Sequence, residues 1–167
     1  MRHHTAAAVL VAAGLALASC SSSSHSDPKP TATPTTTTAT TAAAKTKLST
    51  AWVPKLQALA DGSGISACSS DSGSDDCVSA IGDAVSVYGN IASAITAAGA
   101  QAEYPKTVAE VTKLVDAADT YDKDQCAGDP HADVDGSPCP KNADTVTVGA
   151  TTLQFVMQTD EANAGLA

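Results

Sequence analysis

Residues 77–98 read CVSAIGDAVSVYGNIASAITAA, and the spacing of their apolar and small side chains decides the fold. Cys77, Ile81, Ala84, Tyr88, Ile91, Ile95 and Ala98 recur in alternating steps of four and three, which places them on one seam of a long helix. Val78, Val85 and Ala92 widen that seam, while Ser79, Asp83, Ser86, Asn90 and Ser93 face away from it. Such a stripe must be covered by other helices, so the stretch predicts the central member of a bundle.

Similar patterns lie on both sides. Gly99 breaks the period and Tyr104-Pro105 restarts it, since proline suits a first helical turn. Tyr104, Val108, Val111, Val115 and Ala118 then repeat the four-three spacing, flanked by Leu114 and Tyr121. A last helix carries Val146, Ala150, Leu153 and Val156 or Met157 on one face, with Phe155 beside it. Upstream, Leu48, Trp52, Leu56 and Leu59 have helical spacing, with Ser49 or Thr50 as cap and Gly62 as stop. Pro54 fits only a first turn, which moves the start of that helix as late as Trp52 or Val53. The expected fold is all-α: a small antiparallel four-helix bundle with helices near 50–61, 76–98, 105–122 and 144–160. The alternative is a three-helix bundle with the Trp52 segment as a packing arm.

Two segments precede this domain of 48–167. Residues 1–19 open with Arg2, His3 and His4, run uncharged from Ala6 to Ala18 and reach Leu17-Ala18-Ser19-Cys20. A charged start and an apolar run too short to span a bilayer describe an export signal. Leu17-Ala18-Ser19-Cys20 resembles the lipobox of bacterial lipoprotein precursors. That resemblance implies cleavage before Cys20, a diacylglycerol thioether on its sulfur with acyl chains such as palmitate, and anchoring to the outer face of the cell membrane. Ala16-Leu17-Ala18 also satisfies the small-x-small rule of an ordinary secretory signal. Residues 20–47 are a Ser/Thr/Pro-rich linker without apolar periodicity, read as a disordered tether spanning roughly 30 Å as a coil and about 80 Å extended.

Charge and composition narrow the partners. The chain carries a net charge of -9, and losing Arg2 with the signal takes one of nine basic residues away from 18 acidic ones, leaving -10. Nucleic acid and anionic headgroups are poor partners for that surface, and a protein with a basic surface is a good one. Arg2 is the sole arginine and His131 the sole histidine after the linker, so little is present for acid, base or phosphate chemistry. No nucleophile elbow, phosphate loop or His-Glu-x-x-His pair occurs, and neither an enzyme nor a cofactor is expected.

With Cys20 assigned to lipid, Cys68, Cys77, Cys126 and Cys139 remain, an even number in an oxidising compartment. Cys68 with Cys77 and Cys126 with Cys139 is the favoured pairing, because each closes a short loop. Cross-pairing stays open, since an up-down bundle brings both loops to the same end. That end is acidic, and Asp71, Asp75, Asp133 and Asp135 are its candidate interaction residues. His131-x-Asp133-x-Asp135-Gly136-x-x-Cys139 resembles the calcium loop of excalibur-type modules. His131 stands for the first aspartate and Pro140 for the closing glutamate, which leaves Asp133 and Asp135 as candidate ligands and no firm metal site. Two functions fit: a membrane-anchored interaction module, or a carrier of a small ligand or divalent cation. In architecture the first resembles a cell-surface accessory or prophage-encoded exclusion lipoprotein.

Overall fold

A computed structural model describes residues 47–166; the signal segment, Cys20 and the tether up to residue 46 lie outside the described residues. Five helices follow in order: α1 (Ser49–Asp61), α2 (Gly64–Ser70), α3 (Asp75–Ala97), α4 (Pro105–Lys123) and α5 (Cys139–Asn163). No strand occurs among the described residues. The four-helix expectation holds for the long elements, and the short α2 lies in what the sequence reads as loop. α1 and α2 form one broken leg of the bundle. Glycine-rich Gly62-Ser63-Gly64 interrupts it, and Gly64 is needed there because a Cβ would stand 2.7 Å from that of Ala80 on α3.

The α3 seam is buried nearly as its spacing predicts, with Cys77, Ile81, Ala84, Tyr88, Ile91 and Ile95 in the core and only Ala98 exposed. On α4 the flanking Leu114 and Tyr121 join Tyr104, Val111 and Ala118 inside, and Val108 and Val115 are partly covered. By length and mean hydropathy α3 could cross a bilayer, yet its apolar seam is taken up by the core.

α3 and α5 each pack against all four other helices, and α5 has the more extensive packing, above all against α4 and α1. Val146, Ala150, Leu153 and Met157 fill the core, and Gly149 lies so close to α4 that a Cβ would sit 2.2 Å from Leu114 Cδ2. α5 also begins at Cys139, five residues before the expected start, because Pro140 falls in its first turn where the missing N–H costs nothing. Phe155 points outward and is 70% exposed.

Two carboxylates near the end of α5 hold the starts of two other helices. Glu161, 2% exposed, accepts Ser49 N–H (2.6 Å), Ser49 Oγ (2.6 Å) and the Tyr104 hydroxyl (2.9 Å), and Tyr104 Oη in turn accepts Leu48 N–H (3.0 Å). Asp160 accepts Thr107 N–H (2.8 Å) and Thr107 Oγ1 (2.9 Å) in the first turn of α4. Each acid thus meets the positive end of a neighbouring helix and satisfies donors that helix cannot satisfy itself. The clamp explains why α1 starts at Ser49 and tolerates Pro54 as its sixth residue. Burial raises the Glu161 carboxyl, but the hydrogen bonds from Ser49, Tyr104 and Leu48 outweigh it and hold the group below its ordinary value. Burial, reinforced by Glu161, pushes the Tyr104 hydroxyl up to about 12.

Candidate functional site

Both disulfides form as paired by loop length, Cys68–Cys77 with a Cα separation of 4.6 Å and Cys126–Cys139 with 5.5 Å. They brace the α2–α3 turn and the α4–α5 loop, which meet at the end of the bundle opposite Ser49 and Glu161.

The α2–α3 turn organises itself through local side chains. Asp71 Oδ1 accepts Gly73 N–H (3.0 Å), and Ser74 caps α3 by accepting Cys77 N–H (3.3 Å). Asp75 and Asp76 follow in the first turn of α3, where the helix dipole favours acids. The α4–α5 loop turns with Gly128 and Gly136 at positive φ (72° and 87°) and with Gln125 at 57°. Asp129 Oδ1 accepts His131 N–H (2.9 Å).

Three contacts then lock the loops together. Gly128 N–H donates to Gly73 O (2.8 Å), the Tyr121 hydroxyl donates to Ser72 O, and Asp133 accepts Ser72 Oγ (2.7 Å) and Ser72 N–H (3.1 Å). Ser72 is fully buried. Burial first, then the carboxylates of Asp122, Asp133 and Asp71, raise the Tyr121 hydroxyl, which keeps it a neutral donor. Gly73 permits the approach, since a Cβ there would lie 2.7 Å from Asp129 O and 3.1 Å from Cys126 O. Both neighbours are backbone and cannot rotate aside. Gly73→Ala is therefore expected to cost about 2 to 3 kcal/mol and to loosen the loop junction. Faster amide exchange at Gly128, with helices α4 and α5 still protected, checks this; unchanged exchange and stability would refute it.

The four candidate aspartates divide by role. Asp71 and Asp133 hold backbone, so their carboxylates have structural tasks. Asp75 and Asp135 are exposed, as are Asp76, Asp119 and Asp122. Lys123 and His131 are exposed at the same end, but among the described residues the one ion pair is Lys113–Glu110 (3.0 Å) on α4. The oxygens of Asp133 face Ser72, and among the described residues no three His, Cys, Asp or Glu side chains group closely enough to hold a metal ion.

The surface carries several shallow concavities of about 310 to 330 Å³. A cleft of about 330 Å³ opens between α1, α2 and α3, lined by Leu59, Ser63, Ile65, Asp76 and Asp83 with the buried Thr147. It forms because the break at Gly62 offsets α1 from α2. The residues that sequence reading missed are Ser72, Asp160, Glu161 and this cleft. The acids left one trace: Asp160 and Glu161 sit at the C-terminal end of α5, where that helix's own dipole disfavours them. Compared with protein-family models, curated proteins and solved structures, the chain matches none.

Proposed function

We propose that this chain is a lipid-anchored, extracytoplasmic interaction module without catalytic activity, which presents its acidic loop end to a protein with a basic surface. The observation that carries the proposal is the polarity of the bundle. The chain enters at Leu48 and Ser49, beside Glu161, and the disulfide-braced loops with Asp75, Asp119, Asp122 and Asp135 lie at the far end. A tether attached at Cys20 holds the entry end towards the membrane and leaves the acidic end free to meet a partner. Braced, interlocked loops keep the aspartates in fixed positions, which lowers the ordering cost of binding. The scarcity of His and Arg supports a role without catalysis.

The test uses the full chain in membranes, with chemical cross-linking to neighbouring proteins. Cys20→Ala is expected to release the chain from the membrane fraction or leave it unprocessed. Neutralising Asp75, Asp119, Asp122 and Asp135 together to asparagine is expected to cut cross-linking to a basic partner about tenfold or more, with helical circular dichroism unchanged. Asp71 and Asp133 are left intact because they hold the loops. Cross-linking that ignores the four changes defeats the interaction reading. A second reading, a small-ligand carrier, is favoured by the cleft beside Asp76 and Asp83. It gains if bulky substitution at Ser79 in that cleft alters ligand uptake while the aspartate changes do nothing.

A further inference from the structure

One buried oxygen at the entry end of the bundle has nothing to bond to. Among the described residues, Glu103 Oε2 is the single buried side-chain nitrogen or oxygen that meets no hydrogen-bond partner. Glu103 is partly buried in the turn before α4 and lines a cavity of about 310 Å³ together with Pro105, Lys106, Asp160 and Asn163. Asp160 is 2% exposed and turns Oδ2 to both Thr107 donors, so Oδ1 is the oxygen it leaves to the cavity. A carboxylate oxygen withdrawn from water without a partner is costly, and two carboxylates on one cavity also repel each other. The protein's own groups do not offset this. The positive end of α4 is spent on Asp160 through Thr107 N–H, and Pro105 at its first position has no N–H to add. Lys106 stands on the cavity wall but forms no ion pair with either acid. α5 ends at Asn163, so the negative end of its dipole deepens the field. One water satisfies the orphan oxygen but neutralises neither charge.

We infer that this cavity is a calcium site, in which the carboxylates of Glu103 and Asp160 hold the ion and the side-chain amide oxygen of Asn163 completes the protein's share of the shell. The donors are all oxygen, which suits a hard cation and not the softer metals that seek sulfur or imidazole. Mg²⁺ demands near-octahedral geometry at about 2.0–2.1 Å, whereas Ca²⁺ accepts about six to eight oxygens in irregular arrangements. Two carboxylates from separate segments, a turn and a helix end, fit the more tolerant ion. The cavity also has room for the waters that fill the remaining positions, at about 30 Å³ each. No third acid joins the pair, and Lys106 sets one positive charge against it, so the binding is weak, with a Kd on the order of 1 mM. The ion ties the turn before α4 to the end of α5, next to the Glu161 clamp on α1. It braces the entry end as the disulfides brace the opposite one, far from Asp133 and Asp135. The inference depends neither on anchoring nor on a partner for the acidic loops.

The test is thermal melting of the full chain carrying Cys20→Ala, which removes the acyl site and makes the result independent of anchoring. CaCl2 at 10 mM is expected to raise Tm by about 5 °C over NaCl of equal ionic strength, and MgCl2 by less than half as much. Glu103→Gln keeps the shape of the side chain and removes its charge. It is expected to lose the calcium shift while melting no lower than the parent chain in EDTA, since an unpartnered buried charge has gone. Lys106→Gln is expected to tighten calcium binding about threefold in a calorimetric titration, because it removes the opposing charge. A parent chain without a calcium shift overturns the site, since water or Lys106 then satisfies the acids. A shift that survives in Glu103→Gln overturns it as well, because the ion then sits on another acidic part of the chain. Equal shifts with calcium and magnesium would mean general screening of an acidic surface and would also overturn the calcium assignment.

Discussion

Replacing Glu161 with alanine is expected to lower stability by about 3 kcal/mol, a fall of roughly 10 °C in Tm for a domain of this size. The change removes the acceptor of Ser49 N–H, Ser49 Oγ and the Tyr104 hydroxyl at a site shielded from water, and takes the cap from α1. Glu161→Gln keeps the shape but places an amide hydrogen against one of those donors, so a loss of about 2 kcal/mol is expected. The pH dependence follows from the direction of the shift. The carboxyl titrates below its unfolded value of 4.5, so the unfolded chain takes up the proton first as pH falls. The stabilisation is complete above that unfolded value and disappears as pH drops through the lower folded one. The gap in urea midpoint between wild type and Glu161→Gln is therefore expected to be full at pH 7 and to close on acidification below about pH 4.5. A gap independent of pH would mean that the charge of Glu161 is not what holds α1. Tyr104 sets an alkaline limb of opposite sign: its stabilisation is complete below the unfolded value of 10.0 and is lost as pH rises through about 12.

Removing both disulfides is the second large effect. The Cys68–Cys77 bridge spans a sequence separation of 9 and the Cys126–Cys139 bridge one of 13. Loop-closure entropy assigns them about 2.7 and 3.0 kcal/mol, and their joint loss of about 5.7 kcal/mol is comparable to the whole stability of a small domain. The two bridges do not act alike. Cys68 belongs to α2, a helix of 7 residues too short to hold its shape alone, so Cys68→Ala with Cys77→Ala is expected to fray α2 and widen the cleft. Cys126→Ala with Cys139→Ala is expected to release the α4–α5 loop and the first turn of α5. Urea unfolding of each double variant, and of the chain with all four replaced, checks the sum. The fourfold variant is expected to be largely unfolded at 37 °C, and a midpoint close to wild type would show that the packed core alone suffices.

Much of this architecture was legible in the residues. A helix with one covered side sorts its side chains with a period near 3.6, and α3 and α4 kept that contrast because each has a broad face in water. The disulfides were legible because short loops favour neighbouring cysteines, and the meeting of the two loops followed from up-down connectivity. The start of α1 was read to within one residue, near 50 against the observed Ser49, and the Glu161 clamp rules out the later start at Trp52 or Val53 that Pro54 left open. Phe155 was placed beside the core on hydrophobicity alone, while the packing of α5 turned it outwards.

By itself, then, the sequence determined the four long helices, their order and the acidic end, and it favoured the cysteine pairing that forms, all of which depend on local spacing or loop length. The tertiary structure alone decided that α5 has the most extensive packing, since that helix exposes Val148 and Phe155 and buries Thr147, Asp160 and Glu161, and so lacks the amphipathic contrast that would announce it. It also decided what the acids with distant partners do. Asp133 reaches Ser72 across a separation of 61 residues and Glu161 reaches Ser49 across 112. No local pattern encodes such partners, because whether a carboxylate is a cap or a surface charge depends on which backbone N–H groups the packing brings within about 3 Å.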